Sequence, residues 1–152
     1  MKRLTEPNNM SLVISTGSNL GDKFFFIQHA KQLLSQHFEL IYAAKMTLSK
    51  AVDYTAQPDF ANQVLEFKVP SQSPIEVLSL IGQIEQRLGR FRSIDKGPRT
   101  IDIDILFWGN EKVDQSHLQI PHPRLFARDF ITEPLKELPI YPSLKKQFSE
   151  LS

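Results

Sequence analysis

The chain has 152 residues, of which 41% are hydrophobic and 23% charged, with a formal net charge of +1. This is the length of one domain, enough to bury about 70% of the surface that the unfolded chain exposes, and the composition argues against a disordered adaptor or a fibrous repeat. A net charge near zero provides no global field to attract nucleic acid or anionic lipid, and the absence of cysteine excludes disulfides, thiolate zinc sites and thiol nucleophiles.

Residues 1–10, with Pro7, Asn8 and Asn9, read as a flexible leader, and 11–152 as a single domain. The leader has no apolar core of a secretory signal. Nothing in the chain approaches the roughly 20 apolar residues of a membrane helix, so the expected location is the cytoplasm. A first strand is expected over 12–16, followed by the turn Gly17-Ser18-Asn19-Leu20-Gly21. Phe26, Ala30, Leu33, Leu34 and Phe38 then recur at helical spacing, predicting an amphipathic helix over 22–37. Strands are expected over 39–44 and 63–69, separated by a loop over 49–59 that is long for a compact domain. Ser73-Pro74-Ile75-Glu76 forms a capping box with proline at the first helical position, and Val77, Ile81, Ile84 and Leu88 mark one face of the helix that follows. Residues 101–108 read as a strand, Gly109-Asn110 as a turn, and 121–142 as mostly loop with short helical pieces. The order strand, helix, strand, strand, helix, strand is that of an α+β, ferredoxin-like fold, a mainly antiparallel sheet with helices packed on one face and the other face free for ligands.

Within Gly97-Pro98-Arg99-Thr100-Ile101-Asp102-Ile103-Asp104-Ile105-Leu106-Phe107, strand alternation puts Asp102 and Asp104 on one face, about 7 Å apart. Ile101, Ile103, Ile105 and Phe107 are expected on the other. Two carboxylates held side by side repel unless cations lie near them, and hard oxygen ligands suit magnesium. A pair of such ions would clamp a polyphosphate and activate an attacking oxygen. The alternative is an edge strand showing its polar face to water. Arg87, Arg90, Arg92, Lys96 and Arg99 precede the pair, and guanidinium forks bind phosphate oxygens in bidentate fashion. For Arg87 a solvated helix end is the better reading; for Arg92 and Arg99, phosphate binding. Pro121-His122-Pro123-Arg124 holds an imidazole on a stiff backbone, with Arg128 and Phe130 following, so His122 is a candidate phosphate donor contact or proton shuttle beside the reading as a plain surface histidine. Phe60 and Asn62, ending the long loop, suit stacking on and pairing with a planar heterocycle; a strand start with Phe60 in the core is the competing reading.

Taken together, Gly17-Ser18-Asn19-Leu20-Gly21-Asp22, the Gln57-Pro58-Asp59-Phe60 stretch with Asn62, the Gly97 to Leu106 block, and Ile120-Pro121-His122-Pro123-Arg124-Leu125 with Arg128 and Phe130 resemble the 6-hydroxymethyl-7,8-dihydropterin pyrophosphokinase family. The resemblance implies the ferredoxin-like fold and a folate-pathway enzyme that moves pyrophosphate from ATP to the pterin hydroxymethyl group, releasing AMP. It implies Asp102 and Asp104 as ligands of two magnesium ions, and Asp102, Asp104, Arg90 and Arg92 as the catalytic group. ATP would be held by Glu85, Arg92, Arg99, Ile105, His122 and Arg128. The pterin would be held by Gly17, Ser49, Asn62, Phe60 and Phe130. The implied partners are these two small molecules, with no nucleic acid or membrane, and the chain is expected to be a monomer.

Two departures stand out. Where family members carry Tyr-x-Thr-x-Pro-x-Gly, this chain has Thr47-Leu48-Ser49-Lys50-Ala51-Val52-Asp53, without the prolines and glycine, and Lys96 replaces a tryptophan common before Gly-Pro-Arg. The altered loop motivates a second reading, a diverged ATP- and pterin-binding homologue with lost or changed turnover. A nucleotidyl transferase or cyclase palm would explain the carboxylates but not His122 and Asn62. A nucleic-acid-binding sheet lacks the paired aromatic motif.

Overall fold

The computed structural model describes residues 11–51, 56–90 and 98–151. The expected leader at 1–10 lies outside these, as do Arg92, Lys96, and Val52 and Asp53 of the altered loop. Strand β1, Ser11–Ser18, is buried along its whole length and forms the axis of the sheet. It pairs antiparallel with β4, Phe60–Lys68, on one side and with β5, Asp102–Trp108, on the other. Outside β4 lie β2, Leu40–Ala43, and the three-residue β3, Thr47–Ser49, each antiparallel to it. The order β2-β4-β1-β5 is the ferredoxin-like arrangement that the sequence predicts. The short strand β3 and a hairpin of β6, Val113–Gln115, and β7, Leu118–Ile120, go beyond the sequence reading.

Helices α1, Lys23–Ser35, and α2, Pro74–Arg87, cover one face. Asp22 caps α1 by accepting from Phe25 N, and Ser73 and Glu76 close the expected capping box on α2. Ile27, Leu33 and Leu34 of α1 and Val77, Ile81 and Ile84 of α2 pack on Leu12, Ile14, Leu65, Phe67, Ile103 and Ile105. Each fully buried aliphatic or aromatic side chain contributes about 1.5–3 kcal/mol by leaving water.

The other face is not free along its length, as expected from sequence, but divided. The C-terminal part, read as mostly loop with short helical pieces, forms α3, Asp129–Leu135, and α4, Tyr141–Gln147. Together with Leu125, Leu138 and Leu151 they bury Val13, Val64, Leu106 and Phe107 in a second core. Phe107 was expected beside Ile103 and Ile105. Instead the register shifts between Val13 and Ile14, so that Val13 faces Phe107 while Ile14 faces Ile105 and Leu106 is the extra residue. A bulge of this kind reverses the alternation beyond it. Phe107 therefore joins the second core and Trp108 the first. Among the described residues, no helix is long and apolar enough to cross a membrane.

A buried carboxylate ties the second core to the sheet. Glu66 accepts from Ser11 Oγ at 2.7 Å and from the Ile140 backbone N–H at 3.1 Å, with 2% of its surface exposed. Burial raises its pKa, against the opposing effect of these two bonds. A raised carboxylate binds its proton more tightly folded than unfolded, so the stability it contributes is present below the unfolded pKa and lost as pH rises through the folded one. Glu66→Gln can still accept from Ile140 and donate to Ser11. Urea unfolding of both proteins as pH rises from 4 to 8 should show the wild type losing stability relative to Glu66→Gln; parallel profiles would contradict this account.

Candidate active site

The open half of the second face is a cavity of about 330 Å³. Its floor is one row across three strands, in which Gly17 of β1 faces Asn62 of β4 on one side and Asp102 of β5 on the other. One step along, Ser15 faces Asp104. A side chain at Gly17 would begin 3.4 Å from Asn62 Oδ1 and 3.5 Å from the Phe60 ring, so glycine keeps the space between the amide and the carboxylate open. Both aspartates line this cavity, as strand alternation predicts, while Ile101 and Ile103 are buried on the helix side.

The two carboxylates have different surroundings. Asp102 Oδ1 accepts from Arg90 Nη1 at 3.0 Å and Oδ2 from Arg99 Nη1 at 3.3 Å. Arg90 is held in turn by Glu85 Oε2 at 2.9 Å, and the same oxygen accepts from the Ile103 backbone N–H at 2.8 Å. Burial raises the pKa of Glu85, with the Arg90 charge opposing. Among the described residues, Asp104 has no such fork. Its nearest cationic candidate is His122, whose Nε2 lies 3.9 Å from Oδ1. Burial first, then the charges of Asp102 and Glu85, push the Asp104 carboxyl up to about 7, although Arg128 and Arg90 pull it down.

His122 is oriented by its own chain. The Arg124 backbone N–H donates to Nδ1 at 3.2 Å, which leaves Nε2 to carry the proton of the neutral ring. Burial and then the nearby Arg128 lower its pKa, favouring that neutral donor form. Opposite, Asn62 Nδ2 donates to Ser49 Oγ at 2.8 Å, so the amide is fixed with its oxygen toward Gly17. The Arg99 guanidinium lies 5.1 Å from the Phe60 ring centroid and that of Arg128 5.8 Å from Phe130. Each aromatic wall of the cavity thus carries a cation on its flank.

Of the residues singled out from sequence, Gly17, Ser49, Phe60, Asn62, Arg99, Asp102, Asp104, His122, Arg128 and Phe130 line this one cavity. Three are placed elsewhere. Arg90 and Glu85 stand behind Asp102, their side chains 11% and 16% exposed, and brace it. Ile105 is 4% exposed in the helix-side core, because it falls on the apolar side of β5, so only its main chain is left for a nucleotide contact. Ser15, Lys50 and Arg124 line the cavity without having been picked out as site residues. Ser15 shows itself only through the β1–β5 register. Lys50 sits in the altered loop, its Nζ 3.9 Å from Asp59.

Among the described residues, no three histidine, aspartate or glutamate side chains form a metal cage. Two carboxylates on a concave face, one of them without a guanidinium hydrogen bond among the described residues, are the donor set of a hard cation that takes its remaining ligands from substrate oxygens and water. The residues fit magnesium in that sense.

The family model of 7,8-dihydro-6-hydroxymethylpterin-pyrophosphokinase (HPPK) matches residues 13–139. The chain belongs to this family. Its reaction is transfer of pyrophosphate from ATP to hydroxymethyldihydropterin in folate biosynthesis. The 2-amino-4-hydroxy-6-hydroxymethyldihydropteridine pyrophosphokinase of Bacillus subtilis is 38% identical over 86% of this chain and 78% of its own length. That of Aquifex aeolicus is 36% identical over 91% and 89%. A crystal structure of Plasmodium falciparum HPPK-DHPS superposes with a TM-score of 0.65 at 13% identity, covering 84% of this chain and 39% of that longer one; at this identity the likeness is one of fold.

The division between cavity and brace predicts opposite stability effects. Arg90→Ala strands the largely buried Glu85 and should cost about 3 kcal/mol of folding free energy. Asp104→Asn removes a charge that burial penalises and should cost less than about 1 kcal/mol, or stabilise. Denaturant unfolding without metal ions would distinguish the two; an equal loss in both would remove the distinction.

Proposed function

We propose that the HPPK reaction runs in this cavity, with the pterin between Phe60 and Phe130 and the ATP triphosphate over Asp102 and Asp104. The observation that carries this reading is the row Asn62, Gly17, Asp102, which sets a heterocycle-pairing amide and a carboxylate on one floor across an unfilled glycine. With strands about 4.8 Å apart, the backbones that carry the amide and the carboxylate are about 10 Å apart, which leaves room for a bicyclic ring between them.

In this reading the Asn62 oxygen accepts from ring N–H groups, while Ser49 holds the amide and Gly17 leaves room for the ring edge. Phe60 and Phe130 stack on its faces. Arg99 and Arg128, and Arg92 outside the described residues, bind phosphate oxygens; His122 donates from Nε2; Ile105 meets the nucleotide through its main chain. Asp102 and Asp104 would hold two magnesium ions, which when bound neutralise the triphosphate and sharpen the hydroxymethyl oxygen as a nucleophile. Glu85 and Arg90 act one step back. They fix the Asp102 carboxylate so that its oxygens need not reorganise during transfer. We further read residues 11–152 as one pyrophosphokinase domain working as a cytoplasmic monomer.

Purified protein given ATP, magnesium and 6-hydroxymethyl-7,8-dihydropterin should release AMP only when all three are present. Asp104→Ala should lower that rate by more than about 100-fold with unfolding unchanged, because the residue supplies charge rather than core volume. Wild-type turnover in the variant would rule out the metal assignment.

A further inference from the structure

Asn19 lies in the turn after β1, is 3% exposed and is not among the residues that line the cavity. No role in binding or chemistry falls to it directly. Yet its side chain and backbone join three segments far apart in sequence. Nδ2 donates to Gln57 Oε1 at 2.8 Å and to the Pro58 carbonyl at 2.9 Å. Oδ1 accepts from the Arg99 backbone N–H at 3.0 Å, and the Asn19 N–H donates to the Arg99 carbonyl at 3.2 Å. Pro58 is two residues from Phe60, on the pterin side. Arg99 bonds to Asp102 and flanks Phe60, on the phosphate side.

We infer that Asn19 is a positioning residue that sets the distance between the pterin half and the phosphate half of the site. The inference rests on the functional reading above. An asparagine suits the task because one planar amide offers two donors and an acceptor in opposite directions, so it can face two backbones at once. Burial removes competing water, so all three side-chain bonds hold it in one orientation. Each half-site also has supports of its own: Ser49 and β4 on one side, Arg90 and Glu85 on the other. Loss of Asn19 should therefore leave each substrate's own site intact while loosening their mutual placement. Transfer requires the attacking oxygen and the phosphorus in near contact, and a misplacement of about 1 Å can cost about 100-fold in rate.

The test compares kcat with binding. Asn19→Ala should lower kcat for AMP release by about 30- to 100-fold, while the KM of ATP, the KM of the pterin, and the affinity for each measured alone stay within about threefold. As a safeguard against unfolding from the loss of these buried bonds, Gln57→Leu and Gln57→Glu serve as a milder pair that leaves the Pro58 and Arg99 bonds in place. The glutamate keeps an acceptor for Asn19 Nδ2 and should retain kcat within about twofold; the leucine loses it and should fall by about fivefold or more. A kcat within about threefold of wild type in Asn19→Ala, a loss confined to KM, or equal kcat in the two Gln57 variants would overturn the inference. Wild-type protein that releases no AMP would instead overturn the reading on which it rests.

Discussion

The antiparallel pairing of β1 with both neighbours is the constraint on which the site depends. A strand buried on both faces and hydrogen-bonded along both edges has no freedom to slip without moving every side chain to the opposite face. The register Asn62, Gly17, Asp102 is thereby fixed by the same contacts that build the two cores. Helices α1 and α2 press Leu12 and Ile14 from one side, and α3 and α4 press Val13 from the other. The floor of the cavity is consequently held as firmly as the centre of the molecule, while His122, Pro123 and Arg124 of its wall lie in the turn after β7. A site that must hold two molecules in line gains from that division.

Charge is placed on this floor at a cost, and the surroundings answer it unevenly. Asp102 is matched by two guanidinium groups and braced through Glu85. Asp104, two residues on, is left with an imidazole at 3.9 Å and a carboxyl pushed up to about 7 by burial and by like charges. Were stability the only demand, an apolar or amide side chain would serve better at that position. In the proposed function the missing positive charge would come with the substrate, as a metal–triphosphate complex, which makes the imbalance intelligible. A half-buried carboxylate pair of this kind is a place where local folding rules yield to function.

Local signals carried the sequence reading where they were strong. The Ser73 to Glu76 box and the apolar spacing of α2 need only a few neighbouring residues to be read, and both are present. Alternation along β5 correctly brings Asp102 and Asp104 together in the cavity because no irregularity separates them. It fails after Leu106, where the bulge is a property of the β1–β5 pair and leaves no mark in either strand alone. Strand β3 is three residues long, below the length at which periodicity says anything. The resemblance implies Glu85 as a nucleotide contact and Arg90 as a catalytic residue, whereas the geometry bonds the two to each other, as a buried carboxylate and guanidinium satisfy each other first. Resemblance identifies which positions matter; it does not say which of them face the ligand and which hold the ones that do.

The altered stretch around Ser49 illustrates what the geometry adds. From sequence, the missing prolines and glycine place pterin recognition in question. Its first three residues, however, are strand rather than loop: Thr47–Ser49 pairs with β4 in the register Thr47 to Asn62 and Ser49 to Phe60. Ser49 Oγ accepts from the Asn62 amide, so the residue that stands in the family's loop position supports the pairing group directly. Ladder bonds between β3 and β4 restrict the backbone at that point, which is the physical service that a proline would otherwise supply. Stiffness of the pterin wall can thus be kept by pairing instead of by ring closure, and a change in loop chemistry at this position is compatible with an unchanged reaction.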